Sequence, residues 1–161
     1  MVASWKHRLL DMTPCGPGLI FALLYREPET AWTSCGHGEW MLWALDKAPI
    51  NRKAELIVLL KKWIPHFVPL SDTAKELLAD HEHMTMSKID ALYTEEECQV
   101  MHDFYYFVVL KEEKGALASL AEAMVDAALI STPDISRLRI QLDLANLIRI
   151  DIPRIMEWLD D

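Results

Sequence analysis

The chain has 161 residues, 52% hydrophobic and 25% charged, a composition that suits one globular domain burying roughly two thirds of its unfolded surface. A net charge of −9 at pH 7 disfavours direct binding to nucleic acid, where Lys and Arg supply most of the affinity by neutralising phosphates. No apolar run reaches the ~20 residues that cross a bilayer, and the first residues lack the long apolar centre of a signal peptide, so a cytoplasmic protein is expected.

The charge is unevenly placed. Residues 1–66 hold 8 Lys+Arg against 6 Asp+Glu, whereas residues 67–161 hold 8 against 19, so the chain divides into a Trp-rich, near-neutral part and an acidic part. A field of one sign over part of a small protein draws in basic partners and speeds encounter with them, although the same acids also serve as a solubilising surface. The three cysteines, Cys15, Cys35 and Cys98, are an odd number in a chain that needs no staples, which points to reduced thiols.

Ser4 to Met12 has the length of a short helical stretch, and Thr13, Pro14, Gly16, Pro17 and Gly18 then form a loop no helix interior would tolerate. Leu19 to Tyr25 reads as a short buried helix. Pro28 suits the first turn of the next helix, which runs through Ala31 and Trp32 to Cys35. Gly36 and Gly38 interrupt it before a helix from Glu39 to Lys47, with Trp40, Leu42, Trp43 and Leu45 around most of its circumference.

Asn51 is the expected N-cap of a helix that turns Leu56, Leu59, Leu60 and Trp63 inward and Lys53, Lys61 and Lys62 outward, ended by Pro65 and Pro69. Asp72 caps a helix through Leu77 and Leu78, and Asp80 to Ser87 reads as a polar loop before a turn at Ile89 to Leu92. Thr94 with Glu97 forms a capping box that starts a long helix to Lys114, with Gly115 ending it or beginning the next. Phe104 to Leu110, an unbroken apolar run, would alone suit a buried strand; the acidic first turn and the lysines near the end favour helix.

Ala116 to Ile130 sets Leu117, Leu120, Met124 and Ala128 on one stripe. Thr132 or Asp134 is the expected cap of a helix carrying Ile135, Leu138, Leu142 and Ala145, and Pro153 breaks the chain before a last short helix with Ile155, Met156 and Trp158. Nothing alternates with period two or repeats. The expectation is an all-α, single-domain compact bundle of about seven to nine helices, with irregular short helices at the N-terminus.

Residues that carry chemistry are few. His81 and His83, beside Asp80 and Glu82, have a spacing found in fragments of metal sites, but a zinc site needs three or four placed ligands and no second cluster has ligand spacing. A solvated histidine loop is the simpler reading, and no metal or other cofactor is expected. Cys35 and His37 are too near in sequence to face each other as nucleophile and base, and His102 and Asp103 diverge on a helix as surface groups. No phosphate-cradling loop, dinucleotide fingerprint or nucleophile elbow is present, so no catalytic residue is assigned. Trp32, Trp40 and Trp43 read as core, with Glu39 a candidate partner for an indole N–H.

Ala31-Trp32, Cys35 and Gly38-Glu39-Trp40-Met41-Leu42-Trp43 form a string that resembles the AW-x-x-C-x-RGDWMLW segment of immunity proteins of polymorphic toxin systems, small helical proteins of bacteria and phages associated with deaminase-type toxins. Upstream, Cys15, a short apolar helix and Glu29 are similar to that family's N-terminal helix, so the resemblance spans residues 13 to 47. His37 stands where the family commonly has Arg, and Glu39 where it has Asp. The resemblance implies a non-enzymatic protein that occludes a partner, with Trp32, Cys35, Gly38, Glu39, Trp40 and Trp43 as its family-motif and scaffold residues.

An acidic C-terminal part suits a basic, nucleic-acid-acting protein partner, and Glu95, Glu96, Glu112, Glu113, Asp160 and Asp161 are the candidate partner-binding acids. Toxin immunity and a phage-encoded anti-defence role of anti-CRISPR type would use the same surface. Two other classes remain open: a helical metal- or nucleotide-dependent enzyme built on His81, His83 and His102, and a structural subunit that oligomerises through aromatic and alanine-rich faces.

Overall fold

The computed structural model describes residues 25, 27–46, 48–109 and 115–159. Among them are nine α-helices, two 3₁₀ turns and no strand. The helical turn that Ser4 to Met12 could form, the helix expected over Leu19 to Tyr25, the loop between them, and the end of the long helix at Lys114 lie outside the described residues, Tyr25 aside.

The first two helices, α1 (Pro28–Ser34) and α2 (Gly38–Leu45), are short and joined by an extended elbow at Cys35. Pro28 occupies the first turn of α1, where its missing N–H costs nothing. A 3₁₀ turn at Ile50–Arg52 leads into α3 (Lys53–Phe67). Asn51 falls inside that turn rather than capping the helix, and Pro65 sits in the last turn of α3, which runs on to Phe67 and closes with the Val68 N–H on the Ile64 carbonyl at 3.0 Å.

Ser71, not Asp72, caps α4 (Asp72–Ala79), its hydroxyl accepting from the Ala74 N–H at 3.2 Å. The stretch expected as a loop holds a 3₁₀ turn at His81–His83 and α5 (Met86–Asp90), capped by Thr85. The predicted capping box forms at the start of α6 (Glu95–Val109): Thr94 Oγ1 accepts from the Glu97 N–H at 3.2 Å, and the Glu97 carboxylate accepts from the Thr94 N–H at 3.1 Å.

Gly115 precedes α7 (Ala116–Ser131) with φ +95°, a conformation that L side chains rarely adopt. α7 is the central helix, packed against α6, α2, α3 and a following helix, α8 (Arg137–Asp151). The expected stripe Leu117, Leu120, Met124 and Ala128 is buried, and Ala121, Val125 and Ala127 widen it. Ser136, rather than Thr132 or Asp134, caps α8 by accepting from the Arg139 N–H at 3.3 Å.

The expected stripe is turned mostly outward: Ile135 falls in the exposed loop before α8, Leu138 is 75% exposed and Leu142 is exposed too, with only Ala145 buried. The inward face is Ile140, Gln141, Leu144, Ala145 and Ile148. Both sets recur at three- and four-residue spacing, and contact with α2 selects between them. A Cβ built on Gly38 would lie 2.4 Å from Leu144 Cγ, so the two helices touch where Gly38 has no side chain.

One connected core runs from Trp32 to Trp158, the latter on the last helix, α9 (Met156–Leu159). Two polar ties brace it. Asp151, at the end of α8, accepts from the Trp63 indole at 2.7 Å and from Lys62 at 2.8 Å. Lys53, expected outside, is buried, with Nζ 3.7 Å from Asp46 Oδ1 and 4.7 Å above the Phe107 ring. Asp46 Oδ2 accepts from the Gly115 N–H at 2.7 Å, joining the end of α2 to the start of α7.

Candidate protein-binding surface

The Trp-rich segment sends its polar groups to α8 and the residues just beyond it. Trp32 is buried and its indole N–H donates to the Ile152 carbonyl at 2.7 Å. The Arg149 guanidinium donates to the Trp32 and Cys35 carbonyls, filling acceptors left open where α1 ends. Glu39, expected beside an indole, instead accepts from Arg137 at 3.2 Å and Gln141 at 3.3 Å. Glu29 accepts from the Ile155 and Met156 N–H groups at 3.0 and 2.9 Å, capping α9.

Of the motif's other residues, Trp40 and Trp43 are half-buried rather than enclosed in the core, and Trp40 packs against it. Trp40 stacks on His37 at 4.2 Å with the rings 9° apart. Cys35 Sγ donates to the backbone carbonyl of His37 at 3.5 Å, not to its ring. Burial pushes the Cys35 thiol up, against a weaker pull from Arg149, and burial likewise pushes His37 down. A protonated thiol facing a carbonyl is the reverse of an activated nucleophile.

The histidines sit in unlike surroundings. His81 Nδ1 is 3.3 Å from Lys61 Nζ, and its ring meets Phe104 edge-on. Desolvation and then Lys61 hold its pKa down. His83 is exposed and bonded to Asp80 at 2.8 Å, which holds its pKa up. His102 lies on α6 against the Tyr106 ring at 4.7 Å. Among the described residues no three His, Cys, Asp or Glu side chains converge as a ligand group.

The acidic first turn of α6 divides by burial. Glu97 points inward and is buried, accepting from the Ser71 N–H at 3.1 Å and the Ser71 hydroxyl at 2.8 Å besides Thr94. Burial opposes its ionisation, but the Ser71 and Thr94 bonds outweigh that and hold its pKa low. The effect is to lock the α6 N-terminus to the start of α4. Glu95 and Glu96 line a groove of about 590 Å³ between α6 and α7 and make no ion pair among the described residues.

Gln99 and His102 continue the α6 wall, and Ala123, Asp126, Ala127 and Ile130 form the α7 wall. Asp126 is held by Arg137 at 2.7 Å, which leaves the acidity of the groove on the α6 side. Cys98 also lines it, with Sγ donating to the Ile89 carbonyl at 3.4 Å and its thiol pushed up by burial and then by neighbouring carboxylates. Ile130 is 62% exposed on one side, and Tyr93, just before the acidic turn, is 82% exposed.

Of the six candidate acids, Glu95 and Glu96 fall together in this groove, whereas Glu112, Glu113, Asp160 and Asp161 lie outside the described residues. Nothing in the sequence alone marks Asp126, Ile130 and Tyr93 as neighbours of these acids. The signal for the α7 wall was present: positions 123, 126, 127 and 130 recur at helical spacing on a face offset from the Leu117–Leu120–Met124 stripe. Family models, curated proteins and solved structures give no match to this chain. No described helix is long and apolar enough to cross a membrane.

Proposed function

We propose that this chain is a non-enzymatic inhibitory binding protein that occludes a basic, nucleic-acid-acting protein partner, in the manner of a toxin-immunity protein. The observation that carries the reading is the pair Glu95 and Glu96. Both open onto a groove without an ion pair among the described residues, on a helix end that Glu97 holds rigid. Preformed, unneutralised charge of this kind favours fast capture of an oppositely charged surface. The resemblance of the segment from Ala31 to Trp43 supports the same reading. Its clamp on α8 gives that segment a scaffold role, which leaves the acidic side for the partner. A phage-borne anti-defence inhibitor would use the same surface, and the activity of the captured partner separates the two.

The test is affinity capture from the native host with the wild-type chain and with Glu95→Lys/Glu96→Lys. The expected result is a basic protein retained by the wild type and lost by the variant, whose action on DNA or RNA stops when the wild-type chain is added. A captured partner that keeps full activity in the complex, or equal capture by both chains, overturns the proposal.

A further inference from the structure

We infer that the groove between α6 and α7 receives an amphipathic helix of the protein partner, with Lys or Arg on one face meeting Glu95 and Glu96 and apolar side chains on the other lying along Ala123 and Ile130. This rests on the binding role proposed above and specifies what is bound.

The two walls differ in kind. The α6 wall presents two carboxylates with no ion pair among the described residues, whereas on the α7 wall the one carboxylate, Asp126, is already bonded to Arg137. The rest of that wall is apolar: Ala127 is buried at its base, Ala123 is half-buried one turn earlier, and Ile130 is 62% exposed at its end. A purely basic segment would leave the apolar wall uncovered, and a purely apolar one would strip water from Glu95 and Glu96 without compensation. An occupant with both faces satisfies both walls.

Size and charge narrow the class further. A groove of about 590 Å³ takes several side chains rather than one ion, and no ligand-like trio converges there among the described residues. Nucleic acid is repelled by the same carboxylates. Between two packed helices, with no strand edge among the described residues to extend, an inserted helix is the recognition mode the shape supports. Tyr93, 82% exposed beside the acidic turn, is the kind of aromatic that anchors such an interface.

The probe is a fluorescein-labelled helical peptide of about 18 residues, roughly 27 Å long, made of Leu and Lys with one apolar and one basic face. A scrambled peptide of equal composition is its control. Anisotropy is read on the full-length wild type, on Glu95→Gln/Glu96→Gln, on Ala123→Phe, which fills the groove, and on Ile130→Ser, which removes an exposed apolar contact without touching the core. The pair Glu76→Gln/Glu82→Gln makes the same charge change away from the groove, and thermal melts check that each variant is folded.

The expected outcome is a loss of about tenfold or more in affinity for the three groove variants and for the scrambled peptide, with the Glu76/Glu82 pair unchanged. Equal weakening by the distant pair, equal binding of the scrambled peptide, or full binding by both Ala123→Phe and Ile130→Ser overturns the groove. If inhibition of the native partner is lost in Glu95→Lys/Glu96→Lys yet untouched by Ala123→Phe and Ile130→Ser, the groove is wrong and the binding role stands. If the peptide result holds but host capture yields no basic protein, the groove stands and the proposed role fails.

Discussion

The Trp32 indole N–H donates to the Ile152 carbonyl at 2.7 Å, joining the middle of α1 to the residue that closes α8, 120 positions later. Both groups are buried, so neither has water to fall back on. With Arg149 on the Trp32 and Cys35 carbonyls and Glu39 on Arg137, it makes the Trp-rich segment a clamp on α8.

Trp32→Phe keeps most of the bulk and removes the donor, leaving the Ile152 carbonyl unsatisfied. A loss of about 1–3 kcal/mol is expected, read as a lower urea midpoint with an unchanged slope.

Gly38→Ala drives a methyl into Leu144, whose Cβ, Cγ and Cδ2 would all lie within 2.7 Å. The expected cost is about 1–3 kcal/mol. Adding Leu144→Gly removes all three clashing atoms, the Cβ included, so the double variant is expected to be more stable than the sum of the single effects. Strict additivity in the four-variant cycle would show that the helices do not meet there.

The Gly38–Leu144 contact also explains where the sequence was legible and where it was not. Local rules found the Thr94–Glu97 box, Pro28 in the first turn of α1 and the buried stripe of α7, because those patterns are complete within a few residues. α8 offers two faces of equal periodicity, and only the approach of α2, about a hundred residues earlier in the chain, decides that Leu144 goes in and Leu138 out. Lys53 went inward for a similar reason: its partners Asp46 and Phe107 come from other helices. Glu95 and Glu96 were readable as acids, but the groove they face exists only once Ala123, Asp126 and Ile130 of α7 stand opposite.

Lys53→Met leaves the Asp46 carboxylate buried without its cation, Oδ1 having no hydrogen-bond partner and Nζ 3.7 Å away as its nearest countercharge. A loss of about 3–5 kcal/mol is expected. Asp46→Asn in the same chain removes the stranded charge and should recover most of it. Equal stability of Lys53→Met and the double variant in denaturant titration would contradict a buried pair.

Glu97 sets a pH dependence. Its pKa in the folded chain lies below the ordinary glutamate value of about 4.5 because Ser71 and Thr94 donate to its carboxylate, outweighing burial. The unfolded chain therefore binds the proton more readily, so the stabilisation is full above the ordinary value. It is lost as pH falls from there through the lower folded value. Glu97→Gln should be less stable than wild type at neutral pH, with the difference shrinking over that acid range. A difference constant with pH would show that the carboxylate's charge is not what the cap uses.

The central claim is that Glu95 and Glu96 capture a basic partner by charge, and the most direct measurement is the association rate of the captured partner as a function of salt, for wild type and for Glu95→Lys/Glu96→Lys. Electrostatic capture predicts a wild-type rate that falls steeply as ionic strength rises from ~0.01 to ~1 M, where the Debye length shrinks from about 30 to about 3 Å, and a variant rate that is low at every salt. A wild-type rate that is flat with salt and matched by the variant would contradict it.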